Sequence, residues 1–355
     1  MKKYSYIIII ISLFILIYAG VSLYEKSHSQ KTINVVSMTA DEMSVALKNE
    51  TISGFFSWEP HPAKAVIDGY GRYLVVSKDI WPNHPGCVLV KSEYIVDEEI
   101  IRALVWAQLK GTMFINDPAN REKVIRYASE FTNIDRQAAS LALNDTIYNE
   151  FLDKYEMKIG FDIMDKAGAF KNRPNDIDGF ISNIILDKYY IDIKKQLDVD
   201  PDWKPSAVNG SLRFGFIEGN IHYLAVYVAQ EEGYFEKAGL IPGKNLQFLK
   251  FRNGLAITNA FAHREVDIAT FGMTPLLRYW INDNGKLYII SGVNSGGTAL
   301  IVRADSDIRS IDDLNGKTIA TSGFGSIQDL MMRKMFEGFK IRTISIILIN
   351  SFPIY

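Results

Sequence analysis

Residues 211–240 read SLRFGFIEGNIHYLAVYVAQEEGYFEKAGL, and this stretch decides the fold. "SLRFGFIEG" is a short, largely apolar run closing on Glu-Gly, the pattern of a strand with a turn behind it. "YLAVYVAQEEGYFEKAG" places apolar residues at helical spacing and ends at a glycine. A strand that feeds a helix is half of a βαβ unit.

The alternation repeats downstream. "NLQFLKF", "VDIATFG", "KLYIISGV", "TALIVRA" and "KTIATSG" read as strands. "GLAITNAFAHRE", "TPLLRYWIND" and "SIQDLMMRKMFEG" read as helices, "SIDDLNG" as a short helical turn, and "TISIILIN" (residues 343–350) as a last strand. Upstream, "TINVVSM" is a β-branched strand, and Thr39 with Glu42 forms a capping box that opens a helix through Leu47. "ISGFFS" is another strand, followed by a helix with Pro60 or Pro62 in its first turn. "RYLVVS" and "GCVLVKS" are two more strands. The expected fold is α/β, two-lobed, with parallel-rich sheets flanked by helices and ligands at the carboxyl ends of strands. Between Asp97 and about Asp198 the texture is mostly helical, and residues 198–210, "DVDPDWKPSAVNG", have the composition of a linker.

Composition narrows the function. The 355 residues suit two domains or two lobes, and a formal net charge of −2 argues against nucleic acid as partner. The single cysteine, Cys87, excludes an internal disulfide and a four-thiolate metal site. His84 and Cys87 have a metal-like spacing, but two ligands are too few, so no metal or cofactor is expected. The N-terminus, "MKKYSYIIIIISLFILIYAGVSLYEKS", sets two lysines before an apolar run from Tyr4 to Tyr24. That layout predicts a signal peptide or a hydrophobic anchor helix, with the rest of the chain extracytoplasmic.

The stretch 211–240 resembles the opening of mature solute-binding proteins of ABC importers, in the nitrate/sulfonate/taurine group. "VDIATFGMTP", "SGGTALIVRADSDIRSIDDLNGKTIAT" and "GSIQDLMMRKMFEG" continue the likeness in order. "MSVALKNETISGFFSWEPHPAKAV" and "SKDIWPNHPGCVLVKSEYI" are similar to the second lobe of that family, and the helical stretch after Asp97 to its C-terminal portion. The resemblance implies a type II periplasmic-binding-protein fold, a small anionic or zwitterionic solute, and ABC permease and ATPase subunits as partners. It implies no enzyme. The pyrimidine-precursor synthases of thiamine biosynthesis share the fold and supply the alternative reading, with binding of such a precursor beside it, but they carry a cysteine-rich motif absent here. A non-binding remnant is a further alternative.

The order of the halves is inverted relative to the family: the second-lobe half comes first. A circular permutant, a rearranged tandem pair and a truncated gene product all fit. The expected division is residues 1–30 as signal or anchor, 31–95 with 311–350 as lobe II, 96–205 as a helical segment packed on the lobes, and 206–310 as lobe I. "TINVVSM" and "TISIILIN" then encode one strand position twice. Competition between them predicts an exposed edge and a strand-swapped dimer.

Binding a small anion without reacting calls for helix N-termini, hydroxyls and an aromatic wall. "EGNIH" offers Gly219, Asn220 and His222 ahead of a helix, although His222 reads equally as a packed histidine. "GMTP" offers Thr274, which also reads as a cap. "NSGGT" offers Asn294, Ser295, Gly296 and Thr298 where the lobes should join. "TSGFGS" offers Ser322, Gly325 and Ser326 in the other lobe. By family analogy Trp58 and Glu59 face these, with Glu59 either selecting an amine-bearing solute or capping the next helix.

Overall fold

The computed structural model describes residues 30–345. The N-terminal apolar segment and most of "TISIILIN" lie outside the described residues. In chain order the strands of the first half are β1 (Thr32–Ser37), β2 (Gly54–Trp58), β3 (Gly71–Val76), β4 (Cys87–Ser92) and β5 (Thr146–Tyr148). Those of the second half are β6 (Leu212–Ile217), β7 (Leu246–Phe251), β8 (Ile268–Gly272), β9 (Leu287–Gly296), β10 (Thr298–Arg303), β11 (Thr318–Thr321) and β12 (Lys340–Thr343).

They form two six-stranded sheets, β12-β1-β11-β2-β10-β3 and β5-β9-β4-β8-β6-β7. Both sheets are mixed, the first with mostly parallel and the second with mostly antiparallel pairings. β1, β2, β11 and β12 run parallel, but β10 is antiparallel to β2 and β3. In the second sheet β6, β7 and β8 are parallel, and β4 is antiparallel to β8 and β9. The reason is that β4 and β10 each arrive from the other lobe. β4 falls within residues 31–95 yet joins the second sheet, and β10 falls within 206–310 yet joins the first. The lobe boundaries expected from sequence are therefore crossed twice, and these two crossings connect the lobes.

Among the described residues, β1 and β12 hold separate positions. β1 sits between β11 and β12, with Thr32 opposite Lys340 and Asn34 opposite Thr318. β12 starts earlier than "TISIILIN", shares only Thr343 with it and takes an edge place of its own, while most of the expected competing strand lies outside the described residues.

Local sequence explains the helices that frame the site. Helix α1 (Ala40–Lys48) opens with the expected capping box: the Glu42 N–H donates to Thr39 Oγ1 at 3.3 Å, and the Thr39 N–H donates to the Glu42 carboxylate at 2.7 Å. Helix α2 (His61–Ile67) follows β2, and α3 (Ser77–Ile80) begins the first crossing. The long α4 (Glu98–Asn116) is capped by Asp97 and buries its apolar face on the second sheet. After α5 (Arg121–Thr132), α6 (Arg136–Asp145) packs on α2, tying the helical segment to the first sheet. Helices α7 (Lys154–Lys166), α8 (Ile177–Ile184) and α9 (Lys188–Val199) complete this segment. The linker that follows is packed down: the Trp106 indole donates to Trp203 O at 2.8 Å, and Val208 is buried against Gly239.

The helix expected over "YLAVYVAQEEGYFEKAG" is broken by Gly233, whose φ of 68° ends α10 (Leu224–Glu231) and starts α11 (Tyr234–Lys237). The remaining helices, α12 (Gly254–Ala262), α13 (Met273–Asp283) and α14 (Ile327–Met335), follow β7, β8 and β11. One continuous apolar cluster joins residues of both sheets, from Ile33 and Phe56 through Val88 and Val90 to Leu330.

Candidate functional site

The second crossing is two glycines long. β9 ends at Gly296 and β10 begins at Thr298, with φ of 70° at Gly296 and 66° at Gly297. A side chain at Gly297 would meet His222 Nε2 at 2.4 Å and Thr146 Oγ1 at 2.7 Å. β10 then places Thr298 directly opposite Trp58. The "WEP" and "NSGGT" stretches, far apart in sequence, are therefore neighbours across one ladder.

Beside this crossing lies a cleft of about 290 Å³ with walls from both sheets. The first sheet's side brings Thr39, Trp58, Ser322, Ser326, Ile327 and Gln328; the second brings His84, Cys87, Ile217, Asn220, His222, Tyr223, Arg252, Asn253 and Pro275. Four helices of nine residues or more present their N-caps here: Thr39 for α1, Asn253 for α12, Gly272 for α13 and Ser326 for α14. Each contributes partial positive charge and first-turn N–H groups. Arg252 adds a full charge, and among the described residues no aspartate or glutamate lines the cleft. A more open groove of about 520 Å³ touches Glu50, Asp305, Asp307 and Asp313, but it lies on one lobe only and is rich in carboxylates.

Two histidines in the wall are held neutral. His222 Nε2–H donates to Gly297 O at 2.8 Å, and its Nδ1 faces Cys87 Sγ at 3.7 Å. His84 Nε2 accepts the Gly296 N–H at 3.2 Å. Burial lowers both pKa values to about 4. Burial likewise pushes the Cys87 thiol up to about 12, so it stays protonated beside the Tyr223 hydroxyl at 3.3 Å. Across the cleft, Ser322 Oγ donates to Gln328 Oε1 at 3.1 Å, and Gln328 Nε2 to Thr298 Oγ1 at 3.4 Å.

The sequence-predicted residues divide into two groups. Trp58, Asn220, His222, Gly296, Ser322 and Ser326 line the cleft. The others do not. Glu59 is fully buried behind Trp58 and caps α2, its carboxyl oxygens accepting from the Ala63 N–H at 3.0 Å and the Tyr73 hydroxyl at 2.7 Å. Burial raises its pKa to about 8, so at neutral pH it carries no charge and does not select a cation. Thr274 is fully buried in the first turn of α13. Gly219 is a turn residue with φ of 68°. Gly325 turns against Arg278, on the far side of the Ser322–Ser326 loop. Asn294 and Ser295 line a different, smaller cavity, and Thr298 is fully buried. Arg252, Asn253 and Gln328 were missed. Arg252 and Asn253 stand at a strand end ahead of a helix, the same signal that singled out Asn220.

Comparison with known proteins points the same way from two parts of the chain. The NMT1-like family model matches residues 17–129, and the NMT1/THI5 like model matches residues 220–353. Each part of the chain is therefore similar to an NMT1-like family, of the nitrate/sulfonate/taurine binding-protein kind. Two curated proteins are similar to a part of this NMT1-like chain. One is the nitrate import ATP-binding protein NrtC of Synechococcus elongatus, 35% identical over 98 residues, which are 27% of this chain and 15% of that protein. The other is the bicarbonate transport ATP-binding protein CmpC of Synechocystis sp., 37% identical over 98 residues, 27% of this chain and 14% of that protein. The NMT1-like chain thus spans about one-seventh of the length of these relatives.

Proposed function

We propose that this chain captures a small organic anion or zwitterion, of the sulfonate or taurine kind, outside the cytoplasm and delivers it to ABC permease and ATPase subunits. One observation carries the reading: four helix N-caps and Arg252 converge on a carboxylate-free cleft between two sheets. An anion there is stabilised by fixed dipoles that need no reorganisation. The walls also favour an organic body. Trp58, Ile217, Pro275 and Ile327 are apolar surface that nitrate or bicarbonate, each a few atoms across, would leave unfilled in about 290 Å³.

The crossings at residues 77–86 and at Gly296–Gly297 suit a hinge about which the lobes close on solute. The basic start and apolar run of the N-terminus fit export or anchoring. Among the described residues no helix is long and apolar enough to cross a membrane. The protonated, buried state of Cys87 favours binding over thiol chemistry.

A thermal-shift and calorimetric screen of the full chain tests this. Taurine or an alkanesulfonate should raise the melting temperature by an amount that grows with the logarithm of its concentration over Kd, with nitrate and bicarbonate much weaker. A shift with the thiamine pyrimidine precursor alone would favour the alternative reading. No shift with any of them, from cooperatively folded protein, would remove the receptor reading.

A further inference from the structure

Behind the Gly86–Cys87 wall of the cleft lies a second cavity of about 140 Å³, between the end of β9, the 83–87 loop and the 149–153 segment. Two of its lining residues, Asn294 and Ser295, are 4% and 6% exposed. Asn294 Nδ2 and Ser295 Oγ find no hydrogen-bond partner among the described residues. The orientation of the Asn294 amide is fixed from its other end: Oδ1 accepts the Cys87 N–H at 3.2 Å, which leaves the NH2 group as the unused donor. Two buried donors on adjacent residues lower stability unless something accepts from them.

The electrostatics here are the reverse of the cleft's. Asp153 lines this cavity, and among the described residues no lysine or arginine does. Asp153 Oδ1 accepts the N–H groups of Tyr155 and Glu156 at 2.9 and 3.3 Å, capping α7. An anion would meet this carboxylate with no cation to offset it. A neutral molecule carrying one carbonyl or hydroxyl acceptor and one N–H or O–H donor suits a lining that includes Asn294, Ser295 and Asp153. With about 30 Å³ for each water in the liquid, the space also exceeds a single water.

We propose that this cavity is a second binding site, for a small uncharged amide or polyol, distinct from the anion cleft and coupled to it through the shared wall of His84, Gly86 and Cys87. The full chain is titrated with acetamide and with glycerol while the side-chain NH2 signal of Asn294 is followed by ¹⁵N NMR. The expected result is a saturable shift, with binding roughly tenfold weaker in Ser295→Ala, which removes one hydrogen-bond partner. Asn294→Asp keeps the acceptor for Cys87 and removes the donor, and it should also weaken the probe. If either variant fails to fold, the other variant and the wild-type Asn294 signal still decide. A linear, non-saturating response assigns the cavity to water alone and overturns the proposal. So does saturable binding unchanged by both variants, or binding that falls with Arg252→Ala, which would place the probe in the cleft.

Discussion

His222 Nε2–H and the Glu59 N–H both donate to the carbonyl of Gly297, each at 2.8 Å. One donor belongs to each lobe, so the glycine crossing is clamped from both sides. Gly297→Ala should lower unfolding free energy by about 2–4 kcal/mol, because a Cβ collides with His222 and the positive φ disfavours any side chain. Urea denaturation measures it, and a loss below about 0.5 kcal/mol would show that the crossing relaxes freely.

Stability should peak near pH 6.5. His61, His84 and His222 have pKa values lowered from 6.5 to about 4, mainly by burial. Between those limits the unfolded chain binds protons that the folded chain refuses, so stability is lost as pH falls through this window. Glu59 acts in the opposite sense. Its folded pKa is raised from 4.5 to about 8, so the folded chain holds a proton the unfolded chain releases, and its contribution declines as pH rises from about 4.5 to 8. Glu59→Gln should remove most of this decline, worth up to about 5 kcal/mol by linkage, while Glu150, raised by burial to about 7, keeps a smaller one that ends near pH 7. Urea midpoints at pH 5, 6.5 and 8.5 check it, and parallel profiles for both proteins would contradict the buried-acid assignment.

Arg252 is exposed and forms no ion pair among the described residues. Arg252→Gln should therefore leave stability within about 0.5 kcal/mol. Anion affinity should fall by about tenfold or more at low salt, with a smaller penalty at high ionic strength. Calorimetry at two salt concentrations separates this from a non-electrostatic effect, which would not change with salt.

Trp58 is half-buried, edge-on to His61 with ring centroids 5.3 Å apart. Trp58→Ala should weaken an alkane- or arenesulfonate about tenfold or more while hardly changing whatever nitrate affinity exists, since only the organic body touches the indole. Equal losses for both would mean that Trp58 shapes the lobe rather than contacts solute.

Much of the fold was legible from local pattern. The capping box at Thr39 and Glu42 and the strand–helix alternation need only neighbouring residues, and the structure contains them. Sheet membership was not legible, because nothing within "TALIVRA" states that β10 pairs with β2 and β3 rather than with its predecessor β9. For the cleft, strand-end chemistry located Trp58, Asn220, Ser322 and Ser326, and the same rule applied to "FRNG" would have added Arg252 and Asn253. Glu59, Thr274 and Asn294 were misplaced because which way a polar group turns at a strand end is set by tertiary partners: Tyr73 and Ala63 for Glu59, and Cys87 for Asn294.

β1 has neighbours on both sides that arrive only near the far end of the chain; the Thr32 N–H donates to the Asn315 side chain across 283 residues. During synthesis this segment must wait, unpaired, until residues 318–343 have been made. Closing so large a loop is slow, which should make docking of the opening strand a late folding event.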